Sequence, residues 1–390
     1  MISYNTTALD NRHIQDEAES ARDKACITPE ELAAIKEAYP SDLYSPNMYI
    51  RFGIFILTLI IVLFSFGILC LTQIDNGSET GFGVICLFCG IVTYVIGEVM
   101  VKEKRHYKSG ADAALIWSSG GFILSGFMII TEVEAHPLVY CLLTLLLASW
   151  FVLRFADVSM TIVMHGALLA SIFSLLIDTG TAGKVIIPFA VMIVSLAVYL
   201  LALKLSRTHA CRHYTNCLDM WQCLALLTLY AGGNYFIVRE LSIEMFNLDL
   251  QPGQDIAGGW IFWVLTIALP LVYIGLGIRK KNRILIGIGL ILIAAMVYTI
   301  RYYHSIAPLE VAMTLGGIGM IAVAYGLIRY LKVARHGFTA DSSDERHTME
   351  AVQIESLIIA QTMSQAATPP ADQYNFGGGT GGGGGASGEY

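Results

Sequence analysis

Ten apolar runs, each close to the length of a bilayer crossing, leave this chain few folds to choose from. Crossing ~30 Å of hydrocarbon at ~1.5 Å per residue takes about 20 residues of helix. Runs of that order occur at 49–73, 82–101, 111–131, 137–153, 157–177, 184–205, 217–239, 259–278, 283–302 and 308–331. In lipid every backbone N–H and C=O must be paired within the protein, so such runs read as helices. With 55% hydrophobic and only 14% charged residues, the chain also lacks the polar surface of a soluble globule. The expected fold class is all-α: a polytopic membrane helix bundle of about ten transmembrane helices, with the lipid bilayer as its main partner.

The loops set an orientation. Residues 102–108 (KEKRHYK) follow the second run and Arg154 the fourth. Lys204, Arg207, Arg212 and His213 follow the sixth, 279–283 (RKKNR) the eighth, and Arg329, Lys332 and Arg335 the tenth. The intervening loops carry Asp75 and Glu79, Glu132 and Glu134, Asp178, and then Glu240, Glu244, Asp249 and Asp255. The positive-inside rule then places both termini in the cytoplasm. It puts 102–108, 207–214 and 279–283 inside, and 74–80 and 242–258 outside. Trp260, Trp263, Tyr302 and Tyr303 fall where interfacial aromatic belts are expected. No basic face interleaved with aromatics exists, which argues against nucleic acid.

Four regions follow. Residues 1–48 show no basic stretch leading into an apolar core, as a cleavable signal would have. They read as a cytoplasmic helical arm, with a weak helix over 14–25 and a better one over 27–40 (ITPEELAAIKEAYP). There Thr28 is the N-cap, Pro29 the first helical residue and Glu31 the capping-box partner. Residues 49–332 form the transmembrane domain. Residues 333–367 are a cytoplasmic segment with one helix, and 368–390 a disordered Pro/Gly-rich tail.

Motifs that carry chemistry are scarce. The chain has no metalloprotease, nucleophile-elbow or kinase signature, so no catalytic residues, cofactor or resident metal are expected. His209, Cys211, His213 and Cys217 offer zinc-type ligands, but in neither of the usual paired spacings, and arginines lie among them. The eight cysteines fall in apolar runs or in segments assigned to the reducing side, so disulfides are not expected.

The seventh run is the most unusual. Gly232, Gly233 and Asn234 interrupt it, and Arg239 stands near its end. Adjacent glycines each cost a helix roughly 1 kcal/mol against alanine. They mark either a close helix–helix contact or unwound backbone beside a pathway. Arg301 and Glu310 flank the loop between the last two runs and are placed to pair. Glu98, one turn from the end of its run, is expected to reach the interface by snorkelling. His165 is deeper, with no partner evident in the sequence, and reads as a packing residue.

Two resemblances add expectations. The arm ITPEELAAIKEAYP leading into YIRFGIFILTLIIVLFSFGILCL and many Gly-rich spans resembles domain of unknown function 2157, a bacterial multi-pass family, over roughly residues 14–332. That implies a bacterial inner-membrane location and no established activity. The tail FGGGTGGGGGASGEY is similar to those of TPM-domain membrane proteins, although this chain has no such domain. Phe376 and Tyr390 are its only large apolar groups, which suits a docking peptide for a cytoplasmic or membrane protein partner. The expected function is a non-enzymatic membrane scaffold or accessory subunit. A small-solute transporter with its pathway near runs seven to ten is the alternative, and a membrane-embedded lipid-modifying enzyme a distant third.

Overall fold

The computed structural model describes residues 2–331 except 25, 73–77, 133, 247–254, 257 and 304–308. The expected helix within 333–367, the tail with Phe376 and Tyr390, His304, and the Glu310 side chain lie outside the described residues. Among those described, the only non-helical pairing is one parallel bridge between Tyr44 and His106.

The arm forms α1 (Thr6–Asp23) and α2 (Pro29–Ala38). Asn5 caps α1 by accepting the Thr7 and Ala8 amides, so this helix starts well before residue 14. On α2 the Thr28–Glu31 capping box is present in both directions. The bundle then runs α3 (Met48–Leu71), α4 (Glu79–Lys102), α5 (Ala111–Ile130), α6 (Pro137–Phe155), α7 (Val158–Ile177) and α8 (Thr181–Ser206). It continues with α9 (Thr215–Gly233), α10 (Tyr235–Phe246), α11 (Gly259–Lys280), α12 (Arg283–Tyr303) and α13 (Leu309–Leu331). Nine of the ten expected runs each fall on one helix and the seventh on two, α9 and α10, and among the described residues eight helices are long and apolar enough to cross a membrane.

Small residues bring the helices together. An ideal Cβ on Gly126 of α5 would lie 2.8 Å from the Gly83 carbonyl oxygen of α4, and Ser119 donates to the Gly90 carbonyl at 2.8 Å. That backbone-to-backbone approach is the usual substitute for hydrophobic driving force in lipid. The α6–α7 turn is two residues long: Ala156 in the left-handed region (φ 49°) closes α6, and Asp157 accepts the Met160 amide to start α7. Two apolar cores result. One joins α4–α7 to Tyr4, Leu9 and Leu43 of the arm and its linker. The other lies among α8, α9, α11 and α12, around Tyr199, Leu226, Tyr273 and Leu292.

The arm is docked. Ser3 donates its amide to the Arg154 carbonyl at 2.8 Å, Tyr44 and residues 105–107 exchange backbone bonds of 2.9 and 3.1 Å, and Asp42 pairs with Arg105. Asp10 accepts Arg212 Nε and Nη2 at 2.9 and 2.8 Å. The ends of α4, α6 and α8, all basic in sequence, therefore meet the arm at one end of the bundle. At Gly110 (φ 95°) a Cβ would fall 2.1 Å from the Arg51 carbonyl oxygen, so glycine lets this loop close against the start of α3.

Candidate functional site

The seventh run is two helices, α9 and α10, separated at Asn234 in extended conformation (φ −82°, ψ 124°). Asn234 is 2% exposed. Its Nδ2 donates to Tyr230 Oη at 2.9 Å and to Thr299 Oγ1 at 3.0 Å, while its Oδ1 accepts the Ile237 amide at 3.1 Å. The Tyr235 amide donates to Thr266 Oγ1 on α11 at 2.9 Å, and the Val238 amide to the Asn234 carbonyl at 3.0 Å. The Tyr235 amide is thus met by α11 and the Ile237 and Val238 amides by Asn234 itself, whose side chain ties the joint to α9 and α12. A Cβ on Gly232 would meet the Pro188 carbonyl oxygen at 2.9 Å, and one on Gly233 would meet Leu269 Cδ1 at 2.9 Å. Both glycines are close-packing positions, against α8 and α11.

Beyond the break, Tyr235 stacks on Trp263 with centroids 4.5 Å apart, and Tyr303 packs edge-on to Tyr235 at 5.0 Å. Arg239 sits 5.2 Å from the Tyr303 ring centroid, filling the place a ligand cation would take. Tyr303 Oη donates to Glu240 at 3.0 Å, and Tyr235 Oη to Asp255 at 2.6 Å. Trp260 and Tyr302, by contrast, are 70% and 56% exposed, as belt residues are. Thr299 and Tyr303 face α9 and α10, which puts Arg301 on another side of α12, away from Arg239. Arg301 Nε and Nη1 are buried without a hydrogen-bond partner among the described residues.

A second polar centre was not legible in the sequence. Glu98 does not snorkel. It accepts Arg154 through Nε and through Nη2 at 2.9 Å, Lys102 Nζ at 2.9 Å, Ser3 Oγ at 2.9 Å and Tyr94 Oη at 3.0 Å. Trp150 Nε1 donates on to Tyr94 Oη at 3.1 Å. The acid of α4 thereby ties α6 and the arm together. His165 also has a partner, Thr228 on α9, whose hydroxyl in turn meets Ser195 on α8.

The histidine–cysteine stretch is committed elsewhere. His209 Nδ1 lies 3.3 Å from Arg212 Nη1, and His213 Nε2 is 3.7 Å from Asp10. No group of three metal-ligand side chains occurs among the described residues. The Arg212 guanidinium holds the Asp10 carboxyl below its ordinary range, and burial pushes the His213 imidazole down despite Asp10. Burial, reinforced by nearby Asp112, raises the Tyr4 phenol.

Eight apolar spans among the described residues, packed around polar groups that are mostly hydrogen-bonded to one another, define an integral, multi-pass α-helical membrane protein. No family model matches the chain, and neither the curated proteins nor the solved structures contain a match.

Proposed function

We propose that this protein is a non-enzymatic scaffold or accessory subunit of the bacterial inner membrane, with both termini cytoplasmic. The observation that carries it is the docked arm. Contacts at Arg154, residues 105–107 and Arg212 pin α1 and the linker after α2 to one end of the bundle, and Lys36 ties α2 to Glu19 of α1, so the arm shows a partner a fixed acidic surface that includes Glu17, Glu30 and Glu37. The basic character of those segments supports the cytoplasmic assignment, and the resemblance to the multi-pass family supports the bacterial one. The tail, through Phe376 and Tyr390, is a second partner contact in the same proposal. A photo-crosslinker at Glu30 should trap one defined protein in cells. Lysine at Glu17 and Glu37 should abolish that product while the arm stays protected from proteolysis. Equal crosslinking with and without the acids would remove the scaffold assignment.

The small-solute transporter remains the alternative because α9 is broken inside the bundle, as helices lining transport sites are. The saturation of the break by Asn234, Thr266 and Thr299 weighs toward a structural joint. Solute flux into proteoliposomes that disappears in Asn234→Ala, with assembly intact, would reverse that weighting.

A further inference from the structure

Three helices contribute one polar side chain each to a point inside the bundle. α7 brings His165 (2% exposed), α8 brings Ser195 (0%) and α9 brings Thr228. His165 lies seven residues, about 10 Å, from the first residue of α7, well inside the span. Thr228 Oγ1 is 3.1 Å from His165 Nε2, 2.8 Å from Ser195 Oγ and 2.9 Å from the Leu224 carbonyl oxygen.

Counting hydrogens assigns the tautomer. A hydroxyl has one hydrogen and two lone pairs, and a carbonyl can only accept. The Thr228 hydrogen therefore goes to its own helix, and its lone pairs accept from Ser195 Oγ–H and from His165 Nε2–H. Nδ1 is then the bare acceptor of a neutral imidazole. It is buried and has no hydrogen-bond partner among the described residues. The hydroxyl that meets the ring is Thr228 of α9, itself bonded to Ser195 of α8, and no carboxylate or cation among the described residues bears on it. Buried acceptors are nearly always matched, by protein or by ordered water, so this lone pair calls for a donor the protein does not supply.

We propose that His165 Nδ1 accepts a hydrogen bond from one ordered water molecule. The site lies on the seam where α7, which belongs to the core shared with the arm, meets α8 and α9 of the second core. A proton at Nδ1 would turn the unmatched acceptor into an unmatched donor and put a charge on the seam with no counter-ion beside it. A water would leave the seam neutral.

The test is ¹⁵N NMR of histidine-labelled full-length protein in nanodiscs between pH 5 and pH 8, with His165→Gln to assign the signals. At pH 8 the expected form is neutral and Nε2-protonated, with Nδ1 shifted toward a hydrogen-bonded imine and exchanging magnetisation with water. Persistence of the neutral, water-coupled form down to pH 5 supports the bound water; conversion to imidazolium within that range would overturn the proposal. An unbonded imine shift without water coupling at every pH would overturn the proposal, as would an Nδ1–H tautomer. Thr228→Val removes the acceptor of Nε2–H and should shift the tautomer ratio at unchanged helicity. An unchanged ratio in a folded variant would overturn the assignment of Nδ1 as acceptor.

Discussion

Glu98 and Asn234 are both strongly polar residues in apolar surroundings, and they are held by opposite means. Glu98 stands one turn from the end of α4 and is matched by two cations and two hydroxyls. Asn234 lies at a helix break inside the bundle and is matched by neutral donors and acceptors alone. Near the interface a charge can be offset by long basic side chains anchored in the headgroup region. Farther in, the same purpose is served without charge, and the helix gives up a residue of α-conformation to do it.

The contrast can be broken by substitution. Arg154→Met should have the largest effect, about 3 kcal/mol, because it leaves a largely buried carboxylate with Lys102 as its one cation. Equilibrium unfolding in mixed detergent micelles measures it, and adding Glu98→Gln should restore part of the loss. Asn234→Leu should cost about 2 kcal/mol in the same assay, as Ile237 and Thr299 lose their partner. A larger loss for Asn234→Leu than for Arg154→Met would reverse the ranking of the two centres.

Next comes Gly232→Ala, at about 1.5 kcal/mol, since the new methyl meets the fixed Pro188 carbonyl. Gly233→Ala meets the movable end of Leu269, and alanine's higher helix propensity, up to about 1 kcal/mol, offsets the crowding. Thermal unfolding of the two variants side by side should show only the first clearly destabilised.

The smallest effect expected is on the arm. Asp10 and His213 both titrate below their ordinary ranges in the folded protein. Between the folded and unfolded values the unfolded chain binds more protons, so each contribution is fully present above the unfolded pKa and is lost as the pH falls. His213 gives way first, below about pH 6.5, and Asp10 below the ordinary carboxylate range near about 3.9. Amide protection factors in α1, corrected for the slower intrinsic exchange at acid pH, should fall between pH 7 and pH 5, with little change in α5.

The positions of the helices were legible because lipid imposes length and apolarity on each one locally. The Thr28 capping box was legible for the same reason, as its two partners lie three residues apart. Glu98 and His165 were not, because their partners are 95 and 63 residues away and become neighbours only once helices pack. The glycine pair was visible as an anomaly. Whether it meant packing or a pathway depended on Pro188 and Leu269, which nothing near residue 232 announces. The early start of α1 was missed because its first turns are polar and gave no apolar period to follow.

The Asp10–Arg212 pair joins residues 202 positions apart, and that span has a consequence for the order of synthesis. At ~5–20 residues per second, about 10–40 s separate the appearance of the two partners on the ribosome. During that interval Tyr4 and Leu9 have no core to enter. The arm can close only after the hairpins carrying Arg105, Arg154 and Arg212 have all been delivered to the same side. One hairpin inserted upside down would leave it open, exposed to proteases as an unfinished chain is. A closed arm is therefore a local signal that the first six spans have been inserted in the right sense.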